Sequence, residues 1–177
     1  MKLFLICGKA EAGKNEFANY LKNEFEKKGK RVCLLQITKP LYEYAKNYFG
    51  WNGEDENKPR RFLQTMGIEV IREKMGWKFF LIDRLCEDIT ILDNFFDIGI
   101  ITDGRMHDEF DELKRRYGDI KIIYIKRDRQ NNLTQEEQRH ITEIDLDKDY
   151  DYDYRILNSS FAILADSAKE IVEKNIG

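Results

Sequence analysis

The first apolar positions form an unbroken run, Leu3-Phe4-Leu5-Ile6-Cys7. A continuous run of strand length is the pattern of a strand buried on both faces of a parallel sheet. Phe17, Ala18, Leu21 and Phe25 then recur at helical spacing until Gly29 stops them. Residues 32 to 37 read as a second strand, and Leu41, Tyr44, Ala45 and Tyr48 as a helix ended by Gly50. The middle third is charged and helical. Pro59 stands where a helix start tolerates it, with Phe62, Leu63, Met66, Val70 and Ile71 on one face. A further helix is predicted over about 77–93, with Phe79, Ile82, Cys86 and Ile89 inward.

The alternation continues to the end. Residues 98–102 and 120–125 are the third and fourth strands, with Phe110, Leu113 and Tyr117 on the helix between them. Thr134-x-x-Glu137 fits a capping box, Arg155-Ile156-Leu157 is a weak fifth strand, and Ile163, Leu164, Ala168, Ile171 and Val172 mark a closing amphipathic helix. Strands separated by helices imply right-handed crossovers and a parallel sheet covered on both faces. The expectation is one α/β domain over residues 1–177.

Composition narrows the class. A chain of 177 residues, 42% hydrophobic, buries about 70% of its unfolded surface and needs no disulfide or metal staple. Its 30 Lys+Arg nearly cancel 33 Asp+Glu to a net −3, which argues against nucleic acid or an anionic membrane as partner. No apolar run reaches membrane-spanning length. Three scattered cysteines (Cys7, Cys33, Cys86) among apolar neighbours read as reduced core residues of a cytoplasmic protein. With only His107 and His140, a histidine-rich metal site is excluded.

Gly8-Lys9-Ala10-Glu11-Ala12-Gly13-Lys14 matches the G-x-x-x-x-G-K phosphate loop, between a buried strand and an amphipathic helix. Glycines let the backbone turn successive N–H groups toward an anion, and the following helix adds its positive end. Lys14 supplies a point charge for the β- and γ-phosphates. Two positions depart from the usual loop. Asn15 replaces the Ser or Thr whose hydroxyl meets Mg²⁺, although an amide oxygen can serve, and Glu11 adds a negative charge unless it faces solvent.

With this loop the chain resembles the P-loop nucleoside monophosphate kinases, and within them the deoxynucleoside monophosphate kinase family of phages and bacteria. The further carriers are Lys39-Pro40-Leu41 with Phe49-Gly50-Trp51, the stretch from Lys58-Pro59-Arg60-Arg61 through Glu69 to Arg72, Ile100-Ile101-Thr102-Asp103-Gly104-Arg105, His140-Ile141-Thr142-Glu143, and Tyr154-Arg155-Ile156-Leu157-Asn158. The resemblance implies an adenylate-kinase-like three-layer P-loop NTPase fold with a five-stranded parallel sheet and a small lid. It implies ATP and Mg²⁺ as cofactors and a (deoxy)nucleoside monophosphate as acceptor. An acceptor-binding helical region then covers about 39–93 and the lid about 127–145. A homodimer is left open.

Roles follow from the resemblance and from position. Residues 8–15 hold the donor phosphates, and Asn158 lies on the adenine side. Asp103, ending an apolar strand, is placed to order the metal shell with Asn15. Arg105 faces the crevice at the strand ends. Lys39, Arg61, Gln64 and Arg72 are expected around the acceptor, and Arg127, Arg129 and Arg139 on the lid over the transferring phosphate. The alternating Asp147, Asp149, Asp151 and Asp153 fail as a calcium loop, since Tyr152 and Asn158 occupy its glycine and glutamate positions. Two rival readings remain at this point: a catalytically silent nucleotide-binding protein, motivated by Asn15 and Glu11, and a kinase for another phosphorylated metabolite such as dephospho-coenzyme A.

Overall fold

The computed structural model describes residues 1–127 and 139–176. Among them β1 (Lys2–Cys7), β2 (Val32–Leu35), β3 (Ile98–Gly104), β4 (Lys121–Lys126) and β5 (Tyr154–Leu157) form one parallel sheet in the order β2-β3-β1-β4-β5. The apolar β1 run takes the central place. Leu5 lies opposite Ile101 of β3 and Ile122 of β4, and Phe4, Leu5, Ile6 and Cys7 are fully buried. The weak fifth strand is real: Ile123 to Lys126 register with Tyr154 to Leu157.

Helices cover both faces. On one side α1 (Lys14–Lys27) and the C-terminal α7 (Phe161–Asn175) bury Phe17, Leu21 and Phe25 against Leu164, Ala168 and Ile171. On the other, α4 (Phe80–Leu92) and α5 (His107–Tyr117) bury Ile82, Leu85 and Ile89 with Phe110 and Leu113. The three-layer α/β expectation stands. The chain leaves β1 toward β3 and β2 on one side, and later fills β4 and β5 on the other. This places a topological switch point at the carboxyl end of β1, where open α/β sheets bind ligands.

The middle third differs in detail from its pattern. α2 (Lys39–Phe49) is followed by α3 (Arg60–Gln64), which continues as a π-helix over Thr65–Lys74. The i→i+5 bonding of a π-helix widens each turn, so Leu63, Gly67 and Ile71, four residues apart, face inward and are buried. Val70, expected on the inner face, is 38% exposed. Leu63 and Ile71 pack with Leu41 and Ala45 of α2 in a small separate core, which forms the wall of a cleft over the sheet. α4 begins at Phe80 rather than about 77: Gly76 ends the preceding helix at φ +71°, and residues 77–79 form a turn in which the Phe80 N–H reaches the Trp77 carbonyl at 3.1 Å. The predicted capping box at Thr134 and Glu137 lies outside the described residues.

Candidate functional site

The loop after β1 is held by contacts that leave room only for glycine at two points. A Cβ on Gly8 would stand 2.4 Å from the Ile125 carbonyl oxygen. At Gly13 φ is +97°, and a Cβ would meet the Asn158 Nδ2 at 2.4 Å. That amide donates to the Ala12 carbonyl at 2.9 Å. Asn158, expected on the adenine side, thus braces the loop from β5. Glu11 sits at φ +61°, the loop's only described non-glycine in the left-handed region. It is exposed, which keeps its charge out of the cradle.

Lys14 opens α1 and is 8% exposed. Its ammonium donates to the carbonyls of Gly8 and Lys9, both at 2.7 Å. Burial, with Arg105 nearby, holds its pKa well below the ordinary lysine value, against the opposing pull of Glu143 and Asp103. A cation folded onto its own loop in this way is charge in search of an anion.

The structure adds Glu143 to this cluster, a residue the sequence reading quoted without a role. Its Oε2 accepts from the Ala10 N–H of the loop at 3.1 Å, and its Oε1 pairs with Arg105. Glu143 reaches this place from α6 (Ile141–Ile144), which His140 caps through its ring nitrogen. The neighbouring Asp145 accepts from the His107 N–H at 2.7 Å and so caps α5. One short segment therefore ties the loop, the end of β3 and α5 together.

Asp103 lies at the end of β3 as expected, and its carboxylate holds the turn that leads into α2. Oδ1 accepts from the Ile37 N–H at 2.8 Å, and Oδ2 from the Thr38 N–H at 3.0 Å and from the Thr38 hydroxyl. These three bonds tie the end of β3 to the entry of α2.

The cleft itself lies between α2, the 60–74 helix and the end of β3. Gln64, Arg72, Asp103 and Arg105 of the predicted residues line it, together with Lys58 and Arg60. Two expectations shift. Arg61 does not line the cleft, whose wall carries Arg60 instead, because the helix begins one residue after Pro59 and turns Arg61 outward. Lys39 is paired with Asp88 at 2.9 Å and lines a second groove with Asn15, Gln36 and Thr102. Arg72 is fixed by Asp108, and Gln64 reaches the Thr142 hydroxyl at 3.4 Å.

Of the lid arginines, Arg127 donates to the Glu11 carbonyl at 3.3 Å, beside the loop. Arg139 is exposed, and Arg129 lies outside the described residues. Lys9 pairs with Asp147 at 2.5 Å and Arg155 with Asp149 at 3.2 Å. Those two acids therefore serve as ion-pair partners. Among the described residues no group of three His, Cys, Asp or Glu stands ready for a metal, and no helix is long and apolar enough to cross a membrane.

A family model for deoxynucleotide monophosphate kinase matches residues 35–166. The chain belongs to the deoxynucleotide monophosphate kinase family. The matched stretch starts after the phosphate loop and takes in the cleft, the end of β3 and Glu143. A search of the curated proteins finds no match to the sequence. Among solved structures, the Mycobacterium tuberculosis APS kinase CysC in complex with AMPPNP and APS is similar. It has 11% identity and a TM-score of 0.54, over 97% of this chain and 95% of that one. A sugar kinase from Janibacter sp. is similar with 11% identity and a TM-score of 0.50, over 98% and 95%. At such identities the likeness is one of fold, the P-loop kinase fold. Family and fold together make the chain a P-loop phosphotransferase with a small-molecule phosphate acceptor.

Proposed function

We propose that this kinase transfers the γ-phosphoryl of ATP to a deoxynucleoside monophosphate and releases the diphosphate. The observation that carries the reading is the common wall of the two sites. Arg105 lines the acceptor cleft and also reaches the Glu143 carboxylate that touches the loop amide of Ala10. A monophosphate in the cleft would thus have its phosphate next to a polyphosphate in the loop.

In this reading residues 8–15 bind the donor phosphates through backbone N–H groups, and Lys14 turns from its own carbonyls onto the phosphate oxygens. Arg105 and Arg60 would seat the acceptor phosphate, with Gln64 and Arg72 further along the cleft. The segment 127–145 would act as the lid, bringing Arg127, Arg129 and Arg139 over the transferring group, and 39–93 as the acceptor-binding region. The attacking atom is an already ionised phosphate oxygen, so no general base is needed. Positioning and spread positive charge do the work.

The donor set suits Mg²⁺. This hard cation asks for one or two protein oxygens beside phosphate oxygens and water. Asn15 offers an amide oxygen in the groove next to Thr102, and Asp103 a carboxylate one residue on. Held there by Asn15 and Asp103, the cation would supply positive charge to offset that of the donor phosphates. ADP release measured with each deoxynucleoside monophosphate tests the reading: it requires acceptor-dependent turnover, and nucleotide binding without turnover for any acceptor would favour a silent binder instead.

A further inference from the structure

Among the described residues one buried side-chain oxygen has no hydrogen-bond partner, Oδ1 of Asp108 in the first turn of α5. The acids that line the acceptor cleft are served: Asp103 by Ile37 and Thr38, Glu109 by the Met106 N–H, and Glu143 by Ala10 and Arg105. Asp108 stands behind the cleft wall and takes two cations on its other oxygen. Oδ2 pairs with Arg72 of the 60–74 helix, and with Lys78 at 3.2 Å from the turn before α4. Both cations line the cleft. A buried acceptor left without a donor is costly and calls for a reason.

The two cations are not held alike. The Arg72 side chain is 15% exposed, and its Nη1 is spent on the Met106 sulfur at 3.8 Å, a weak acceptor. The Lys78 side chain is 53% exposed. It carries a compact ammonium on a four-carbon stem that can swing to a new partner. The pairing is therefore mismatched on both sides, with an oxygen lacking a donor and a guanidinium N–H aimed at sulfur. A small turn of the Arg72 guanidinium onto Oδ1 would cure both faults. It would give the two-pronged pair that arginine and carboxylate favour, and Asp108 would no longer need Lys78.

We infer that Lys78 is a binding residue for the acceptor's phosphate, held in reserve by Asp108, and that Asp108 is the positioning residue that hands it over while keeping Arg72. The inference rests on the acceptor reading of the cleft. An ammonium already on a carboxylate gains nothing by moving to a neutral sugar hydroxyl or base carbonyl. A group of at least equal charge is needed to draw it away, and the phosphate is the anion that a nucleoside monophosphate brings. Lys78 would then join Arg105 and Arg60 on that phosphate.

The test titrates dAMP, dCMP, dGMP and dTMP into the wild type by calorimetry without ATP, and carries forward the tightest with its parent deoxynucleoside. Lys78→Met is expected to weaken the monophosphate at least tenfold and the deoxynucleoside less than twofold. In ADP release it should raise the acceptor KM at least tenfold and leave the ATP KM within threefold. Lys78→Arg should return the monophosphate to within threefold of the wild type. Lys74→Met, which removes the same charge from an exposed position outside the cleft lining, should change monophosphate binding less than twofold. Asp108→Asn should tighten the monophosphate at least threefold, because the competing charge is gone. Monophosphate binding within threefold of wild type in Lys78→Met, an equal loss for the deoxynucleoside, an equal loss in Lys74→Met, or weaker monophosphate binding in a folded Asp108→Asn overturns the inference. Should Asp108→Asn fail to fold, the lysine variants decide alone. A Lys78-dependent monophosphate affinity in a chain that releases no ADP would leave this inference standing and sink the proposed reaction, and a wild type indifferent to all four monophosphates would sink both.

Discussion

The Glu143 carboxylate accepts from the Ala10 N–H at 3.1 Å, so a side chain of the protein stands against its own phosphate loop. The same carboxylate holds Arg105. On the proposed reading, a polyphosphate that claimed the Ala10 amide would displace this carboxylate and free Arg105 for the bound phosphates. Binding of the donor and delivery of an arginine to the site would then be one event.

If so, Glu143→Gln removes the charge that competes for the loop. ATP should bind about tenfold more tightly, a gain of ~1.4 kcal/mol, within the range of a single hydrogen bond to a charged group. Titration calorimetry checks it. Weaker ATP binding in the variant would show that Glu143 belongs to the bound state.

Lys14→Met separates charge from fold. The buried ammonium is desolvated and, among the described residues, bonded to the Gly8 and Lys9 carbonyls, so its removal should alter folding stability by no more than about 1 kcal/mol. Nucleotide affinity should fall at least a hundredfold, roughly 3 kcal/mol. Urea unfolding and ATP titration on the same preparation give both numbers.

Gly13 carries two demands at once, φ of +97° and the Asn158 amide 2.4 Å from where a Cβ would be. Gly13→Ala should destabilise by about 2 kcal/mol. Adding Asn158→Ala should recover only the steric part, because the left-handed backbone remains strained and the bond to Ala12 is gone. Full recovery in the double variant would mean that the backbone angle costs nothing. Melting midpoints of the four proteins of the cycle decide it.

Much of this was legible in the sequence, for physical reasons. The β1 run and the G-x-x-x-x-G-K loop are local, and a strand buried on both faces writes itself as five apolar letters in a row. Asp103 and Arg105 followed from their place at a strand end. Three things could not be read. The π-helical winding of 65–74 changes which residues face inward, turning Val70 out while Gly67 faces in, and no residue type announces it. The start of that helix put Arg60 rather than Arg61 on the cleft, a one-residue matter. Glu143 was missed because nothing in a linear pattern tells a buried acid from a solvated one. His140-Ile141-Thr142-Glu143 was visible as a resemblance, but its contact with Ala10 joins residues 133 apart in the chain.

Glu109 also predicts a pH dependence. Burial, reinforced by Asp103 and opposed by Arg72, pushes its pKa up to about 7 from the ordinary 4.5. Between those values the folded chain keeps a proton that the unfolded chain has released, so this group's contribution falls as pH rises through that window. The full loss is about 3 kcal/mol. Urea unfolding at pH 5 and pH 8 should show Glu109→Gln gaining stability over the wild type at the higher pH by up to that amount. An equal difference at both values would show that the carboxyl does not titrate there.

The most direct trial of the whole account is ADP formation from ATP and Mg²⁺ with and without a deoxynucleoside monophosphate, in the wild type and in Lys14→Met. The account predicts turnover that appears only when an acceptor is added and vanishes in the variant. ADP release that ignores every monophosphate, or that survives without Lys14, would contradict it.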